Sequence, residues 1–435
     1  MSPELVTVVM FGALVVLIII GVPLAWALSG IALFMTLFMW NFGALYIYIS
    51  QVFGSSWNVL FIALPLFIGM GVVLERSGIA DALFEAMYRW SGPLRGGLAI
   101  GTVGICTVFA AMCGVAGAAC IAMGMIALPA MRKRGYDKYL AMGSIAAPAT
   151  LGILIPPSVV MIFLGIIGEV SVSRLFIAGL IPGLVLAGLF CLYIVIVGLV
   201  RPKACPSIQE HFTWKQKLIS LKSLLLPILI IFSVLGSIFS GAATPTEAAA
   251  VGLFTVFIAA AANRRLNLNL VKESTLITFR ICGMALWIAF GAIAFASTYS
   301  ALGGPTFVRE LLLGLNLPPL LILTGILVIV LVLGMFIDPG GIIWIVGPLS
   351  YNIIKALGYD GIWFSVLLII GIMVGYVSPP FGYNLFYLKA IVPPDITLGD
   401  IYRSVIPFIF LMIVGLALMI AFPQIVLWLP DKLGR

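Results

Sequence analysis

The chain has 435 residues, of which 63% are hydrophobic and 9% charged, and its formal net charge is +8. Because roughly a quarter of the residues in a soluble domain are charged, this composition excludes a soluble protein and predicts an all-α polytopic membrane protein. A transmembrane β-barrel is excluded as well, since its strands would alternate apolar and polar residues, whereas the apolar segments here are continuous. The basic residues cluster in short loops between apolar segments, which indicates membrane orientation and not the binding of nucleic acid.

The first half of the chain contains apolar segments of two lengths. The first segment follows Glu4 with no basic residue before it, so we expect a retained span and not a cleaved signal peptide. Two later arms of only about 14–16 residues are too short to cross a bilayer one by one, and we predict that they form a re-entrant hairpin. The predicted elements are spans at 5–20, 23–40 and 57–75, an amphipathic interfacial helix over about 75–95, the hairpin over about 97–131, a broken helix over about 139–168 and a span at 175–199.

Two adjacent prolines interrupt the apolar run T-L-G-I-L-I-P-P-S at 150–158. Proline cannot donate a backbone hydrogen bond, so the helix must break there, and the freed carbonyl groups must be buried in protein or line a cavity. A second pair occurs at 379–380, and the same shift, 379 − 156 = 223, carries Gly-Tyr-Asp at 135–137 onto Gly-Tyr-Asp at 358–360. An internal repeat is the leading explanation.

The second half repeats the order of the first. A polar segment over 200–218 separates the two and is predicted to be a cytoplasmic connection, so the repeats cover 1–199 and 219–435. Each half has five full crossings, and an odd number inverts the second copy with respect to the first. The predicted elements are spans at 220–238, 246–262 and 280–299, a re-entrant hairpin over about 319–354, a broken helix over about 361–391 and a last span at 403–426.

The distribution of basic residues gives the orientation, because cytoplasmic loops are enriched in Lys and Arg. With the N-terminus outside, only five of the 23 Lys and Arg fall on the outer side, and the opposite orientation would reverse that ratio. The first hairpin is then predicted to open from the cytoplasm and the second from the outside. The five outer residues are Arg174, Arg309, Lys355, Lys432 and Arg435.

The two hairpin tips and the two helix breaks are the parts from which ion and substrate sites of secondary transporters are built. Hard cations favour oxygen ligands, which unwound backbone carbonyl groups supply without a charged side chain. The candidate Na⁺ ligands are Gly114, Gly152, Ile155, Pro157, Asp338, Gly375, Ser378 and Pro380. The candidate substrate contacts are Cys113, Val115, Ala116, Gly117, Pro156, Ser158, Pro339, Gly340, Gly341 and Pro379.

Two acidic residues in apolar surroundings have alternative interpretations. Asp338 lies at the second tip in F-I-D-P-G-G, and a carboxylate in the membrane costs about 2.5–3.5 kcal/mol, which favours a polar site. Asp before Pro339 is also a good helix N-cap, and both roles can hold together. Glu247 lies three residues after Thr244, which is a capping-box pattern, and the structural role is favoured for it.

Signatures of enzymatic chemistry are missing from the sequence. It contains no G-x-x-x-x-G-K-S/T phosphate-binding loop, so we do not expect ATP hydrolysis by this chain. It also contains no H-E-x-x-H and no Ser/His/Asp set or paired acids within the spans. The six cysteines show no metal-ligand spacing and are expected to pack as small apolar residues.

Several motifs together resemble the large membrane subunit of tripartite ATP-independent periplasmic (TRAP) transporters, the DctM-like family. The resemblance covers essentially the full length. The motifs are G-V-P-L-A-W-A-L-S-G (21–30), F-A-A-M-C-G-V-A-G-A-A (109–119), K-R-G-Y-D-K (133–138), L-G-I-L-I-P-P-S (151–158), A-G-L-I-P-G (178–183) and T-P-T-E-A-A-A-V-G (244–252).

This resemblance implies an elevator-type carrier in a bacterial inner membrane, in which a transport domain of hairpins and broken helices slides against a scaffold. It further implies Na⁺ as the coupling ion, an organic acid delivered by a periplasmic binding protein, and a separate small four-helix membrane subunit. Two departures stand out. Cys113, Val115 and Ala116 replace the serine-rich first tip of many members, and Asp338-Pro339-Gly340 replaces Asp-Thr-Thr at the second. The second departure, together with P-P-F-G-Y-N-L-F-Y-L-K-A at 379–390, is similar to the branch associated with monocarboxylates, 2-oxo acids and related compounds.

Two other functions are weighed against this one. A single-component inverted-repeat carboxylate carrier would share the fold and need no binding protein, so it would take up substrate on its own. A polytopic membrane enzyme would need several acids or histidines facing one cavity, and Asp338 is the one credible intramembrane acid in the sequence.

Overall fold

The structure is a computed structural model that describes residues 1–40, 42–91, 94–114, 116–207, 212–314 and 317–433. Within these ranges the regular secondary structure is helical and contains no strand. Of the predicted connection over 200–218, residues 208–211 lie outside the described part of the chain.

The first half contains ten α-helices in the described residues, including a separate short helix before the third predicted span. They are α1 (Pro3–Ile20), α2 (Leu24–Met39), α3 (Leu45–Ser56), α4 (Leu60–Arg76), α5 (Ile79–Ser91), α6 (Gly97–Cys113), α7 (Ala116–Lys133), α8 (Lys138–Ala149), α9 (Val159–Gly168) and α10 (Val172–Val200).

The second half follows the same order. Its helices are α11 (Trp214–Phe239), α12 (Pro245–Ala262), α13 (Leu268–Ala301), α14 (Gly304–Gly314), α15 (Pro319–Gly334), α16 (Pro339–Ala356), α17 (Gly361–Tyr376), α18 (Tyr383–Ile391), α19 (Leu398–Ala421) and α20 (Gln424–Leu433).

Length and hydropathy identify the helices that can cross a membrane. Among the described residues six qualify, and a seventh span results if Phe42–Ser56 and Leu60–Arg76, which meet at 56°, are taken together. An all-α polytopic membrane protein is thereby confirmed. The six helices are α1, α10, α11, α12, α13 and α19.

Several spans begin earlier than predicted, among them α11, which begins at Trp214 and not at 220, and two of them show the reason. The span predicted at 280–299 begins at Leu268, because Lys272 and Glu273 continue the helix beyond the apolar segment, and Glu273 forms an ion pair with Arg76 of α4. The last span begins at Leu398 and not at 403, because Thr397 and Asp400 form a capping box there. In both cases polar side chains extend a helix that hydropathy alone cuts short, through an ion pair with a distant helix in the first and a local capping box in the second.

The repeated Gly-Tyr-Asp motif performs the same task in each half. Gly135 and Gly358 adopt left-handed φ angles of +76° and +78°, which glycine tolerates best, and end the preceding helix. Asp137 then accepts from the amide nitrogens of Tyr139 at 2.9 Å and Leu140 at 3.0 Å and begins α8. Asp360 begins α17 in the same way, with acceptor distances of 2.8 Å and 2.9 Å. An identical motif therefore starts both broken helices.

Each broken helix is interrupted at its double proline, as predicted. α8 ends at Ala149 and α9 begins at Val159, while α17 ends at Tyr376 and α18 begins at Tyr383. The peptide bonds Pro156–Pro157 and Pro379–Pro380 are both cis.

Helices of the first half have counterparts in the second half that follow one another in the same order along the chain. Helices that correspond in this way make equivalent contacts with the other half. α2 packs on α13, and its counterpart α12 packs on α4. α7 packs on α18 as α16 packs on α9, and α8 packs on α19 as α17 packs on α10. This exchange packs each hairpin against the broken helix of the other half, while the inverted division at 199 and 219 stays a prediction.

Candidate functional site

The first hairpin tip packs directly on the first helix break. Gly114 ends α6 with φ +65°, and a Cβ atom placed on it would lie 2.3 Å from the carbonyl oxygen of Pro157. Only glycine permits both the left-handed backbone and this approach. Cys113 beside it is fully buried, and Val115 lies outside the described residues.

The first break is a buried, ordered turn. The Ser158 hydroxyl donates to the carbonyl oxygen of Ile153 at 2.8 Å, and the segment from Gly152 through Pro156 to Ser158 is buried. Ile155 extends away from the hairpin toward α10, because its side chain comes within 2.3 Å of a Cβ placed on Gly183. The turn therefore offers backbone oxygens but few polar side chains.

The second tip is built around Asp338. Its carboxylate accepts from the amide nitrogens of Gly340 at 3.0 Å and Gly341 at 3.3 Å, so it caps α16, with Pro339 as the first helical residue. Gly341 faces α2, since an added Cβ would lie 2.3 Å from the Leu24 side chain. The predicted capping role is confirmed, and the carboxylate keeps further lone pairs for another partner.

The second break packs closely against the hairpin of its own half. A Cβ on Gly375 would lie 2.4 Å from the carbonyl oxygen of Leu331, so α17 and α15 touch backbone to backbone. The Ser378 hydroxyl donates to the carbonyl oxygen of Val374 at 2.6 Å. Pro379 is half-buried, and the exposed Pro380 accepts a hydrogen bond from the Tyr402 hydroxyl.

A cavity of about 170 Å³, called here the central cavity, brings the two tips together. Asp338 is its one acidic lining residue in the part of the chain that the structure describes. Ligand pockets usually measure about 300–1,000 Å³, so this cavity has room for an ion or a very small acid and would have to widen for anything larger. The predicted residues that line it are Gly114, Ala116, Asp338, Pro339 and Gly340.

Two sets of helices enclose the central cavity. One wall belongs to α13 and α4 and is apolar. The opposite wall carries the tips and four aromatic residues. The first wall consists of Ile68, Ile281, Met284, Ala285 and Ile288, and the aromatic residues are Phe163, Trp344, Tyr376 and Tyr387.

Residues 11–425 match the family profile "Tripartite ATP-independent periplasmic transporter, DctM component". The chain belongs to this family. The family is one of transport proteins, so the prediction of a transporter and not an enzyme is confirmed.

Relatives of this permease match over most of its length. The C4-dicarboxylate TRAP transporter large permease protein DctM of Pseudomonas aeruginosa is 33% identical over 88% of this chain and 89% of its own. The ectoine TRAP transporter large permease protein TeaC of Halomonas elongata is 30% identical over 99% of this chain and 100% of its own. Among solved structures, the YdaH transporter of Alcanivorax borkumensis has a TM-score of 0.66 at 15% identity, covering 93% of this chain and 98% of that one. This last likeness concerns the fold alone.

The structure adds residues of the permease that sequence reasoning missed. Asn384 at the start of α18 is buried, and its side-chain nitrogen donates to the carbonyl oxygen of Ala146 in α8 at 2.5 Å. Its side-chain oxygen has no hydrogen-bond partner among the described residues, although buried acceptors are nearly always paired. Tyr387 closes the first tip, since a Cβ on Gly117 would lie 2.8 Å from its ring. The cluster of tyrosines at 376, 383 and 387 around the second break is the sequence signal that could have identified Tyr387.

Proposed function

We propose that this permease is the large membrane subunit of a Na⁺-coupled TRAP transporter that imports an organic acid. The observation that carries the proposal is the central cavity, in which both hairpin tips meet beside the Asp338 carboxylate. Glycine-rich tips and broken helices at one cavity suit coupled ion and substrate binding, because they expose backbone amide and carbonyl groups where helices are interrupted.

The proposed Na⁺ ligands are backbone oxygens of the breaks. The close approach of Gly114 to the carbonyl oxygen of Pro157 supports a site between the first tip and the first break. The unpartnered oxygen of Asn384 is a further ligand candidate, because it faces the first broken helix from the second. Amide and carbonyl oxygens of this kind suit a hard monovalent cation without trapping it.

An elevator movement is part of the same proposal. The tips and breaks, on α6–α9 and α15–α18, form one wall of the central cavity, while α4 and α13 form the other with apolar side chains. Apolar surfaces slide with little loss of hydrogen bonds, so the first set of helices can serve as the moving domain and α2, α4, α12 and α13 as the scaffold.

The proposed partners are a small four-helix membrane subunit and a periplasmic binding protein. This chain spans 65% of the isethionate TRAP transporter permease protein DctMQ of Oleidesulfovibrio alaskensis and 67% of the sialic acid permease protein SiaT of Haemophilus influenzae. The remaining third of each relative lies outside the match, which supports the participation of a further membrane component beside the region matched here. We place the complex in the bacterial inner membrane with the N-terminus in the periplasm.

The substrate class is proposed from chemistry and from relatives. Their names include C4-dicarboxylates, isethionate, ectoine and sialic acid. Small monocarboxylates and 2-oxo acids are the first compounds to test, alongside C4-dicarboxylates, because the central cavity is small.

Reconstitution tests the function. Proteoliposomes that contain both membrane subunits and the binding protein are expected to accumulate the acid when Na⁺ is imposed outside, and not with K⁺. Pro157→Ala and Gly152→Leu are expected to abolish this uptake while membrane insertion is retained. Gly325→Ala is the control, because nothing lies within 4 Å of the added Cβ. Unchanged uptake in both break variants contradicts the carbonyl site, and full uptake by this chain alone supports the single-component carrier instead.

A further inference from the structure

A row of cavities leads from one end of the molecule to the central cavity. The first, called here the basic mouth, has a volume of about 440 Å³ and is lined by Pro305, Thr306, Arg309, Asn352, Lys355 and Ala356. A smaller cavity of about 60 Å³ shares Pro305 and Asn352 with the mouth and continues to Ala296 and Trp344. The mouth, at the ends of α14 and α16, lies on the side that the basic-residue count assigns to the outside.

A second outer cavity, called here the vestibule, has a volume of about 630 Å³. It also includes Ala296 and Trp344, along with Glu169 and Asn58. Trp344 lines the small cavity, the vestibule and the central cavity, and none of the other residues that line these three cavities lines all of them. Its side chain therefore lies between these outer cavities and the site at the hairpin tips.

The Trp344 side chain is buried but makes no hydrogen bond to a described residue. It is only 4% exposed and contacts Phe163, with ring centroids 5.7 Å apart. Its indole N–H has no acceptor among the described residues. A buried donor without an acceptor destabilises the arrangement that contains it, so turning the ring toward a carboxylate or water in a cavity recovers a hydrogen bond.

The basic mouth carries positive charge without internal neutralisation. Arg309 and Lys355 are both exposed, and neither forms an ion pair with a described residue. Glu310 is next to Arg309 in α14 but does not line the mouth. A cavity lined by charges of one sign raises the local concentration of the opposite ion.

We propose that Arg309 and Lys355 gather small organic anions at the basic mouth, and that Trp344 is the barrier they must pass to reach the central cavity. This inference rests on the proposed function for its direction across the membrane. The ligand class is a small carboxylate or sulfonate, and the indole N–H of Trp344 donates to it as the ring turns aside.

Two positions on one face of α13 test the barrier. Ala296 lies on the outer side of Trp344 and Ala285 on the inner side, 296 − 285 = 11 residues apart, which is about 16 Å along the helix and within about 20° of the same face. Intact spheroplasts that carry Ala296→Cys or Ala285→Cys would be treated with membrane-impermeant methanethiosulfonates. The unmodified permease gives the background, since five of its six cysteines are buried and Cys191 is half-buried.

Ala296→Cys is expected to react at least about tenfold faster than Ala285→Cys, a factor that corresponds to an opening cost of about 1.4 kcal/mol. Adding Trp344→Ala is expected to raise the rate at Ala285→Cys toward that at Ala296→Cys, and Trp344→Phe to raise it little because the ring remains. Equal rates with Trp344 in place overturn the barrier. So does a rate at Ala285→Cys that Trp344→Ala leaves unchanged, or an Ala296→Cys that no outside reagent reaches.

Reagents of opposite charge test the basic mouth. At Ala296→Cys the positive charge of the mouth is expected to raise the modification rate of the sulfonate reagent relative to that of the trimethylammonium reagent. Arg309→Gln with Lys355→Gln is expected to lower this ratio of rates severalfold, and by less in high salt. Lys432→Gln is the control, because Lys432 is predicted on the same side but lines none of these cavities. A ratio that the mouth variants do not change overturns the anion route. None of these rates requires Na⁺ or substrate, so failure of uptake and failure of this inference are distinguishable.

Discussion

Replacing Gly114 with alanine probes the contact between the first tip and the first break. Alanine in the left-handed conformation costs about 1–2 kcal/mol. The new Cβ would lie 2.3 Å from the carbonyl oxygen of Pro157, whereas real Cβ atoms essentially never come closer than 3.0 Å, so tip or break must move by 3.0 − 2.3 = 0.7 Å. Overpacking of this kind costs about 1–3 kcal/mol, which gives about 2–5 kcal/mol in total.

Gly135→Ala provides the matched control for that substitution. Gly135 has φ +76°, but nothing lies within 4 Å of an added Cβ, so the control carries the backbone cost of about 1–2 kcal/mol without the contact. Both variants would be purified in detergent for thermal unfolding and reconstituted for Na⁺-driven uptake. Gly114→Ala is expected to unfold at a lower temperature than Gly135→Ala and to lose uptake at temperatures where it remains folded.

The result that refutes this reasoning is equality of the two variants. If Gly114→Ala and Gly135→Ala show the same unfolding temperature and the same uptake, the tip does not depend on its contact with Pro157. The proposed site between tip and break would then lose its structural support.

Substitutions at three further positions separate other roles. Asp338→Asn keeps an acceptor for the α16 amides and is expected to preserve stability but weaken the Na⁺ dependence of uptake. Asp338→Ala also loses the helix cap and is expected to be less stable by about 0.5–2 kcal/mol. Equal stability of the two variants would contradict the capping role. The hydrogen-bonded Arg132 guanidinium holds the pKa of the Asp395 carboxyl below its usual value, so this pair stabilises the fold above pH of about 4. Asp395→Asn is expected to lower the unfolding temperature slightly at pH 7, with the difference vanishing as the pH falls below 4, and a difference that persists in acid would contradict the ion pair. Gly375→Ala places a Cβ 2.4 Å from a backbone oxygen of α15 and is expected to cost more than Gly325→Ala, which meets nothing within 4 Å, in the same unfolding assay.

Local rules accounted for helix breaks and helix starts. The double prolines at 156–157 and 379–380 lie between the two arms of their broken helices, where two adjacent residues without a backbone donor prevent a continuous helix. The Thr244–Glu247 capping box was predicted and is present, with both reciprocal hydrogen bonds. The capping box at Thr397 was equally readable but was overlooked in favour of hydropathy, which is why the last span was predicted to start too late.

The candidate site was only partly predictable. Gly114 and Asp338 mark the tips in the sequence because glycine-rich segments between short apolar arms have few other uses. Trp344 was missed, because aromatic residues are common in membrane helices and nothing in its local sequence distinguishes a cavity wall from a lipid contact. Asn384 was missed for a related reason, since its partner Ala146 lies 238 residues away.

The sequence by itself determined the class of this protein, the places where its helices break and the family to which it belongs. These properties follow from composition and from short motifs, whose physics acts over a few residues. Only the tertiary structure decided that the two tips share one cavity, that α13 forms its opposite wall and that Trp344 separates it from the outer spaces. Those facts depend on packing between helices far apart in the chain, and the energy of such packing resides in the fit of whole surfaces, which no single segment encodes.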